Sequence, residues 1–250
     1  MKISIITVSY NSAAHIEDAI MSISNQDYDK IEHIVIDGNS TDETQEILKK
    51  HNQKLKFWMS EDDDGIYDAM NKGISRATGE IVGILNSDDF YYNSQVISKV
   101  AGVFSDKNID AVFGDLIFVD PNNTKKTVRT YSSEKWQPDK FAKGYMPAHP
   151  TFFVRRENYV KYGLFETDYK IAADYEMLIR LLYVHKLNYK YLPMKMVKMR
   201  KGGISSNGLA SNITLNSEII RACRTHGIRT NALKIYPKYF NKVFELFNHR

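Results

Sequence analysis

The chain has 250 residues, of which 43% are hydrophobic and 26% charged, and its net charge is +4. Those values suit a soluble globular protein with one sizeable α/β core, and the mild positive balance does not by itself argue for nucleic acid. The single cysteine, Cys223, excludes an intrachain disulfide and a Cys-based metal centre.

The N-terminal stretch MKISIITVSYN reads as a first strand over Ile3–Ser9 and not as a signal peptide. Asn11 and Ser12 follow as good N-caps, and Ala13, Ile16, Ile20 and Ile23 recur at helical spacing. Ile31–Ile36 is a second strand that ends on Asp37. Ser40 and Glu43 make a capping box for a helix starting near Thr41. Leu55–Met59 is a third strand, followed by the acidic turn SEDDDG. Ile66–Ala77 has helical spacing, and Glu80–Leu85 is a fourth strand.

The second half is less regular. A helix is expected over Ser94–Phe104, strands over Ala111–Val119, Thr127–Tyr131 and Thr151–Val154, and an apolar helix over Asp174–His185. A strand over Tyr189–Met199 leads to the Gly-rich break at Lys201, Gly202 and Gly203. A helix over Asn212–His226 and an amphipathic tail after Pro237 complete the chain. No apolar run approaches the roughly 20 residues that span a bilayer. The expectation is a cytoplasmic protein, with the basic, aromatic tail as a candidate for peripheral contact with an anionic membrane on the inner face. In that tail Lys234, Lys238 and Lys242 alternate with Phe240, Val243, Phe244 and Phe247 at helical spacing.

The alternation β-α-β-α-β-α-β over the first ninety residues predicts a mostly parallel sheet with helices on both faces. Ligands of such sheets sit beyond the carboxyl ends of the strands. Here all four strands end on polar groups: Tyr10 and Asn11, Asp37, the acidic turn, and Asp88 with Asp89. Adjacent carboxylates repel each other unless a cation or donors compensate them. Carboxylate coordination without Cys suits Mg²⁺ or Mn²⁺, which typically bridges to substrate phosphates. No Gly-x-x-x-x-Gly-Lys-Ser/Thr stretch is present, and no Gly-x-Gly-x-x-Gly follows the first strand. An ordinary P-loop and a standard dinucleotide fold are therefore not expected.

The segments SIITVSYNSAAHIEDAIMSISNQ, EHIVIDGNSTDET, SEDDDGIYDAMNKGISRATGEIVGILNSDD and AADYEMLIRL resemble, in order and spacing, the inverting family 2 glycosyltransferases of GT-A fold. The resemblance runs from Ile3 to about Ser205. It implies a catalytic domain over 1–205 and a C-terminal helical extension over 206–250. It implies that a nucleotide, UDP above all, is held by Thr7, Tyr10, Asn11, Asp37, Asp63, Asp68, Asn71, Lys72, Ser87 and Asp88. It places the divalent cation at Asp88 and Asp89, in a window Asn86-Ser87-Asp88-Asp89 whose first acid is replaced by Asn86. It places the general base at Asp174, where the usual preceding Glu is Ala173, with Glu176 as the nearest rival acid. His149, between Pro147 and Pro150, and Arg200 and Lys201 are candidates for acceptor or diphosphate contacts. The partners implied are a nucleotide-sugar donor and a saccharide or lipid-linked saccharide acceptor. Two other classes share these features: a sugar nucleotidyltransferase, which would need a Gly-rich loop after the first strand, and a non-catalytic sugar-nucleotide binder.

Overall fold

The computed structural model describes residues 1–201 and 208–237. Its strands are β1 (Ile3–Ser9), β2 (Ile31–Asp37), β3 (Phe57–Ser60), β4 (Ile81–Ile84), β5 (Phe90–Tyr91), β6 (Ala111–Asp120), β7 (Asn123–Tyr131), β8 (Phe153–Arg155) and β9 (Tyr189–Arg200). Its helices are α1 (Ile16–Ser24), α2 (Thr44–Lys50), α3 (Ile66–Arg76), α4 (Val96–Phe104), α5 (Arg156–Tyr162), α6 (Ala173–Leu178), α7 (Gly208–Thr225) and α8 (Ala232–Ile235). A π-helical turn, Ile179–Val184, prolongs α6.

One sheet runs in the order β3-β2-β1-β4-β8-β6-β9-β5, with β7 on β6. The pairings among β1, β2, β3 and β4 are all parallel. Antiparallel pairing enters at β8, which joins β4 to β6, while β6 and β9 are parallel again. Every residue of β1 is buried, as two-sided helix cover requires. On one face, α3 lies so close to β1 that a Cβ at Gly73 would stand 2.4 Å from Ile6 Cγ2.

Polar side chains inside β1 and β2 are matched across the ladder. Ser4 faces Glu32 and Ser9 faces Asp37 in register. Thr7 Oγ1 lies 3.0 Å from His33 Nε2. Glu32 sits at the amino end of the sheet, opposite the acidic rim. It accepts hydrogen bonds from Ser4 Oγ (2.5 Å), Thr78 N (2.5 Å), Thr78 Oγ1 (2.7 Å) and Gly79 N (2.9 Å), and pairs with Lys2. Burial alone would raise its pKa, but these donors hold it down to about 2. Burial lowers His33 to about 3, so it stays neutral.

Several local expectations are corrected. Neither Asn11 nor Ser12 caps α1. Residues 12–15 first make a turn in which Ser12 O accepts the His15 and Ile16 N–H groups, and His15 becomes the N-cap. Ser40 and Glu43 form no capping box; α2 starts at Thr44, because the Ser40 hydroxyl is drawn to buried Asp37. The expected strand over Thr151–Val154 begins later, since His149–Thr151 forms a 3-10 turn. The short strand β5 and helix α5 were not foreseen. Gly202, Gly203 and the tail residues Lys238, Phe240, Lys242, Val243, Phe244 and Phe247 lie outside the described residues, as does the 205/206 boundary. No helix among the described residues is long and apolar enough to cross a membrane.

Acid should lower the stability of the fold progressively through His33 and Glu32. The unfolded chain protonates His33 below about pH 6.5 and Glu32 below about pH 4.5, whereas the folded chain resists until about 3 and about 2. Both contributions are therefore complete at neutral pH and are lost as pH falls. Glu32→Gln should cost roughly 3 kcal/mol at pH 7, and the gap to wild type should close toward pH 2. Urea midpoints across pH check this; a gap that stays constant contradicts it.

Candidate active site

The carboxyl ends of β1, β2 and β3 meet around Asp37, which is completely buried. Its Oδ1 accepts from Ser9 Oγ (2.8 Å) and Ser40 Oγ (2.5 Å), and its Oδ2 from Ser40 N (2.9 Å) and Ser60 Oγ (2.7 Å). Four hydrogen bonds fill the acceptor capacity of a carboxylate. Asp37 thus ties three strand ends together beneath the rim. Thr7 is likewise buried, against His33.

What the rim presents is different. Tyr10 is 66% exposed. Asn11 takes a left-handed conformation (φ 47°), which Asn tolerates, and its Oδ1 accepts the Thr41 N–H at 2.9 Å. Asp63 leans over Gly38, where a Cβ would meet its Oδ2 at 2.5 Å. Only glycine at 38 leaves room for that carboxylate, which is half-buried beside the Asp37 cluster. The α3 residues are engaged internally. Asn71 uses both ends of its amide on the Phe165 backbone (2.8 and 2.9 Å). Lys72 Nζ lies 3.0 Å from Glu61 and 3.1 Å from Asp68 and donates to Asp62 O.

Beyond β4 the chain turns through Asn86-Ser87-Asp88-Asp89. Ser87 Oγ is hydrogen-bonded to Ser12 Oγ at 2.8 Å, joining this turn to the β1 loop. Asp88 is half-buried, whereas Asp89 is completely buried and neither of its carboxylate oxygens has a hydrogen-bond partner. Burial, and then the neighbouring Asp88 charge, push the Asp89 carboxyl well above the usual range; Arg200 pulls the other way. Buried Asn86 Oδ1 also lacks a partner. Arg200, at the end of β9, donates to Asp88 O at 2.6 Å, pairs with Asp18 of α1 and lies over the Phe90 ring. Arg200 therefore braces the turn. Lys201 is exposed, with its backbone N–H on Val119 O.

Unsatisfied, buried, hard oxygen donors with no thiol beside them fit Mg²⁺ or Mn²⁺. Among the described residues no group of three or more His, Cys, Asp or Glu could hold an ion alone.

The base candidate stands nearby. Asp174 lies in the first turn of α6, whose N-cap is Ala172, and its Oδ1 accepts the N–H of Tyr175 at 2.8 Å. A carboxylate is favoured there by the helix dipole. Asp174 Oδ2 is 3.1 Å from His149 Nδ1, their side chains being 16% and 32% exposed. Asn86, His149 and Asp174 line one narrow cleft, walled by Met70, Ile84, Phe152 and Phe165. The rival acid Glu176 points away. It is buried, 2.8 Å from Arg180 Nη2 and 2.7 Å from His226 Nε2. Burial favours its neutral form, but those two partners hold its pKa below the usual value.

Sequence reasoning missed Ser9, Ser40 and Ser60 around Asp37, the Asp18–Arg200 pair, and the dependence of Asp63 on Gly38. The adjacency of Gly38 to Asp37 was the one readable signal for the last.

The Glycosyl transferase family 2 model matches residues 4–163. Among curated proteins, the uncharacterized glycosyltransferase Rv1514c of Mycobacterium tuberculosis is 31% identical over 185 residues, covering 71% of this chain and 68% of that protein. The PGL/p-HBAD biosynthesis glycosyltransferase Rv2957 of the same species is 28% identical over 208 residues, covering 82% and 78%. Among solved structures, S. aureus TarS 1–349 in complex with UDP-GlcNAc superposes with a TM-score of 0.70 at 20% identity, over 94% of this chain and 69% of that one. The mannosyltransferase PcManGT of Pyrobaculum calidifontis, in complex with GDP-Man and Mn²⁺, gives 0.67 at 21% identity, over 90% and 63%. The chain spans 43% of the length of the longer TarS structure. These structural likenesses carry the GT-A fold, and the family match makes this chain a member of glycosyl transferase family 2.

Proposed function

We propose that the protein transfers a sugar from a UDP-sugar to a hydroxyl of a saccharide or lipid-linked saccharide, with inversion at the anomeric carbon. The observation that carries this reading is the cleft shared by Asn86 and Asp174. It brings Asn86, the first residue of the acidic turn, and a positioned carboxylate to the walls of the same cleft.

Asp174 accepts the proton of the acceptor hydroxyl while that oxygen attacks the anomeric carbon. The bond from that carbon to the diphosphate oxygen breaks on the opposite face, so no nucleophilic side chain is needed. His149 Nδ1 holds the second carboxylate oxygen and fixes the direction in which Asp174 faces the cleft. Asp88, Asp89 and Asn86 would hold Mg²⁺ or Mn²⁺, which when bound offsets the charge that develops on the departing nucleoside diphosphate. Tyr10 and Asn11 remain exposed for the nucleoside. Asp63 takes the base-reading role, since it stands at the rim while Asp37 is saturated below it. UDP-GlcNAc in the TarS structure, and GDP-Man with Mn²⁺ in the PcManGT structure, support a nucleotide-sugar donor.

Asp174→Asn keeps size while removing the base. UDP release from a panel of UDP-sugars should fall about 10²–10⁴-fold, with UDP affinity unchanged. A near wild-type rate sinks the assignment. Uracil offers a ring N–H to a carboxylate and cytosine does not, so Asp63→Ala should weaken UDP about 10- to 100-fold and CDP little. Titration calorimetry with both nucleotides decides; equal losses mean that Asp63 does not read the base.

A further inference from the structure

The family match ends at residue 163, yet Asp174 depends on residues still further along the chain. The run that delivers it, residues 168–176, is gripped along its length by α7. Arg221 pairs with Asp168 and lies over the Tyr169 ring at 4.2 Å. The Glu218 carboxylate, nearly buried, then accepts three consecutive backbone N–H groups, from Lys170 (2.7 Å), Ile171 (2.9 Å) and Ala172 (2.9 Å). Ala172 is the N-cap of α6. Cys223 Sγ meets the Tyr175 hydroxyl at 3.9 Å, and His226 reaches Glu176. The opposite side of the run is held by α3, where Tyr67 donates to Ile171 O at 2.5 Å. Of residues 174–176, Tyr175 and Glu176 are turned into these contacts and Asp174 alone lines the cleft.

We infer that Glu218 is a positioning residue for the reaction: by gathering the three N–H groups ahead of α6 it fixes where the Asp174 carboxylate stands in the cleft. This rests on Asp174 being the general base. A carboxylate suits the task because both its oxygens accept, and two oxygens can bind three converging donors. A glutamine of the same shape cannot replace it, because its amide nitrogen would face an N–H group. A displacement of the base by about 1 Å can cost about 10²-fold in rate, and Glu218 needs no contact with substrate to exert that effect.

The test compares full-length wild type, Glu218→Gln and Asp174→Asn, with UDP release from a panel of UDP-sugars as the turnover readout. Glu218→Gln should lower kcat about 10- to 100-fold, while donor KM and the Kd for UDP stay within about twofold. Rates are normalised to the folded fraction from thermal melts, so that simple loss of stability does not imitate the effect. Glu218→Asp, which keeps the charge but shortens the reach, should fall between the two. If Glu218→Gln does not fold, the same kcat-against-KM split is read from Glu218→Asp. Wild-type kcat per folded molecule in either variant overturns the inference when Asp174→Asn is inactive. Full activity of Asp174→Asn overturns instead the base assignment beneath it.

Discussion

A carboxylate buried in a protein interior must find partners or give up its charge, and this fold puts two there at one sheet rim. Asp37 is supplied by the protein itself, through three serine hydroxyls and a backbone N–H. Asp89 has no comparable set: it is buried beside another acid, neither of its oxygens makes a well-formed hydrogen bond, and only Arg200 nearby favours its charge. The effective penalty for an uncompensated buried ion is several kcal/mol. Arg200 gives Nη1 to the Asp88 carbonyl and Nη2 to Asp18, its Nε is left without a partner, and its charge only partly offsets that of Asp89. Burial without such partners favours the neutral form of Asp89. Under the proposed function, a divalent cation bound there would let it ionise.

The rest of the site follows from the same separation of fixed and open groups. Asn71, Lys72, Asp37 and Thr7 are consumed in holding loops and strand ends. Tyr10, Asp63, Asp88, His149 and Asp174 keep exposed or half-buried surfaces. Satisfied polar networks of the first kind rigidify a rim, and rigidity lets the second kind act without reorganising. The clamp of α7 on residues 168–176 extends this logic to Asp174, the proposed base, which hangs from a loop and a helix of only six residues. Neither would be stiff alone.

Much of this was legible in the residues. Alternating apolar runs and amphipathic spacings gave β1, β2, β3 and β4 with their helices, because two-sided burial leaves a strong pattern. The acids at the strand ends gave the rim, since charge is rarely placed there without a ligand. Roles within the rim were harder to read. Asp37 followed by Gly38 reads equally well as a base contact or a turn, and its hydrogen bonds from Ser9, Ser40 and Ser60 come from three segments that no local pattern joins. The capping box at Ser40 failed for the same reason: a buried carboxylate competes better for a hydroxyl than an exposed helix end does. Glu218 and its backbone partners are separated by 46 to 48 residues, so no local pattern could announce the contact. The strand β5 has two residues, too few to carry a period.

The central claim is that the Asn86–Asp89 turn holds a nucleoside diphosphate only through a divalent cation. Titration calorimetry of UDP into the full chain, with Mn²⁺ and then with EDTA, tests it most directly, with Asp88→Ala run under both conditions. Affinity should fall by at least about tenfold on chelation in the wild type, and Asp88→Ala should bind weakly with or without Mn²⁺. Equal UDP affinity in Mn²⁺ and in EDTA, matched by Asp88→Ala, would contradict the account.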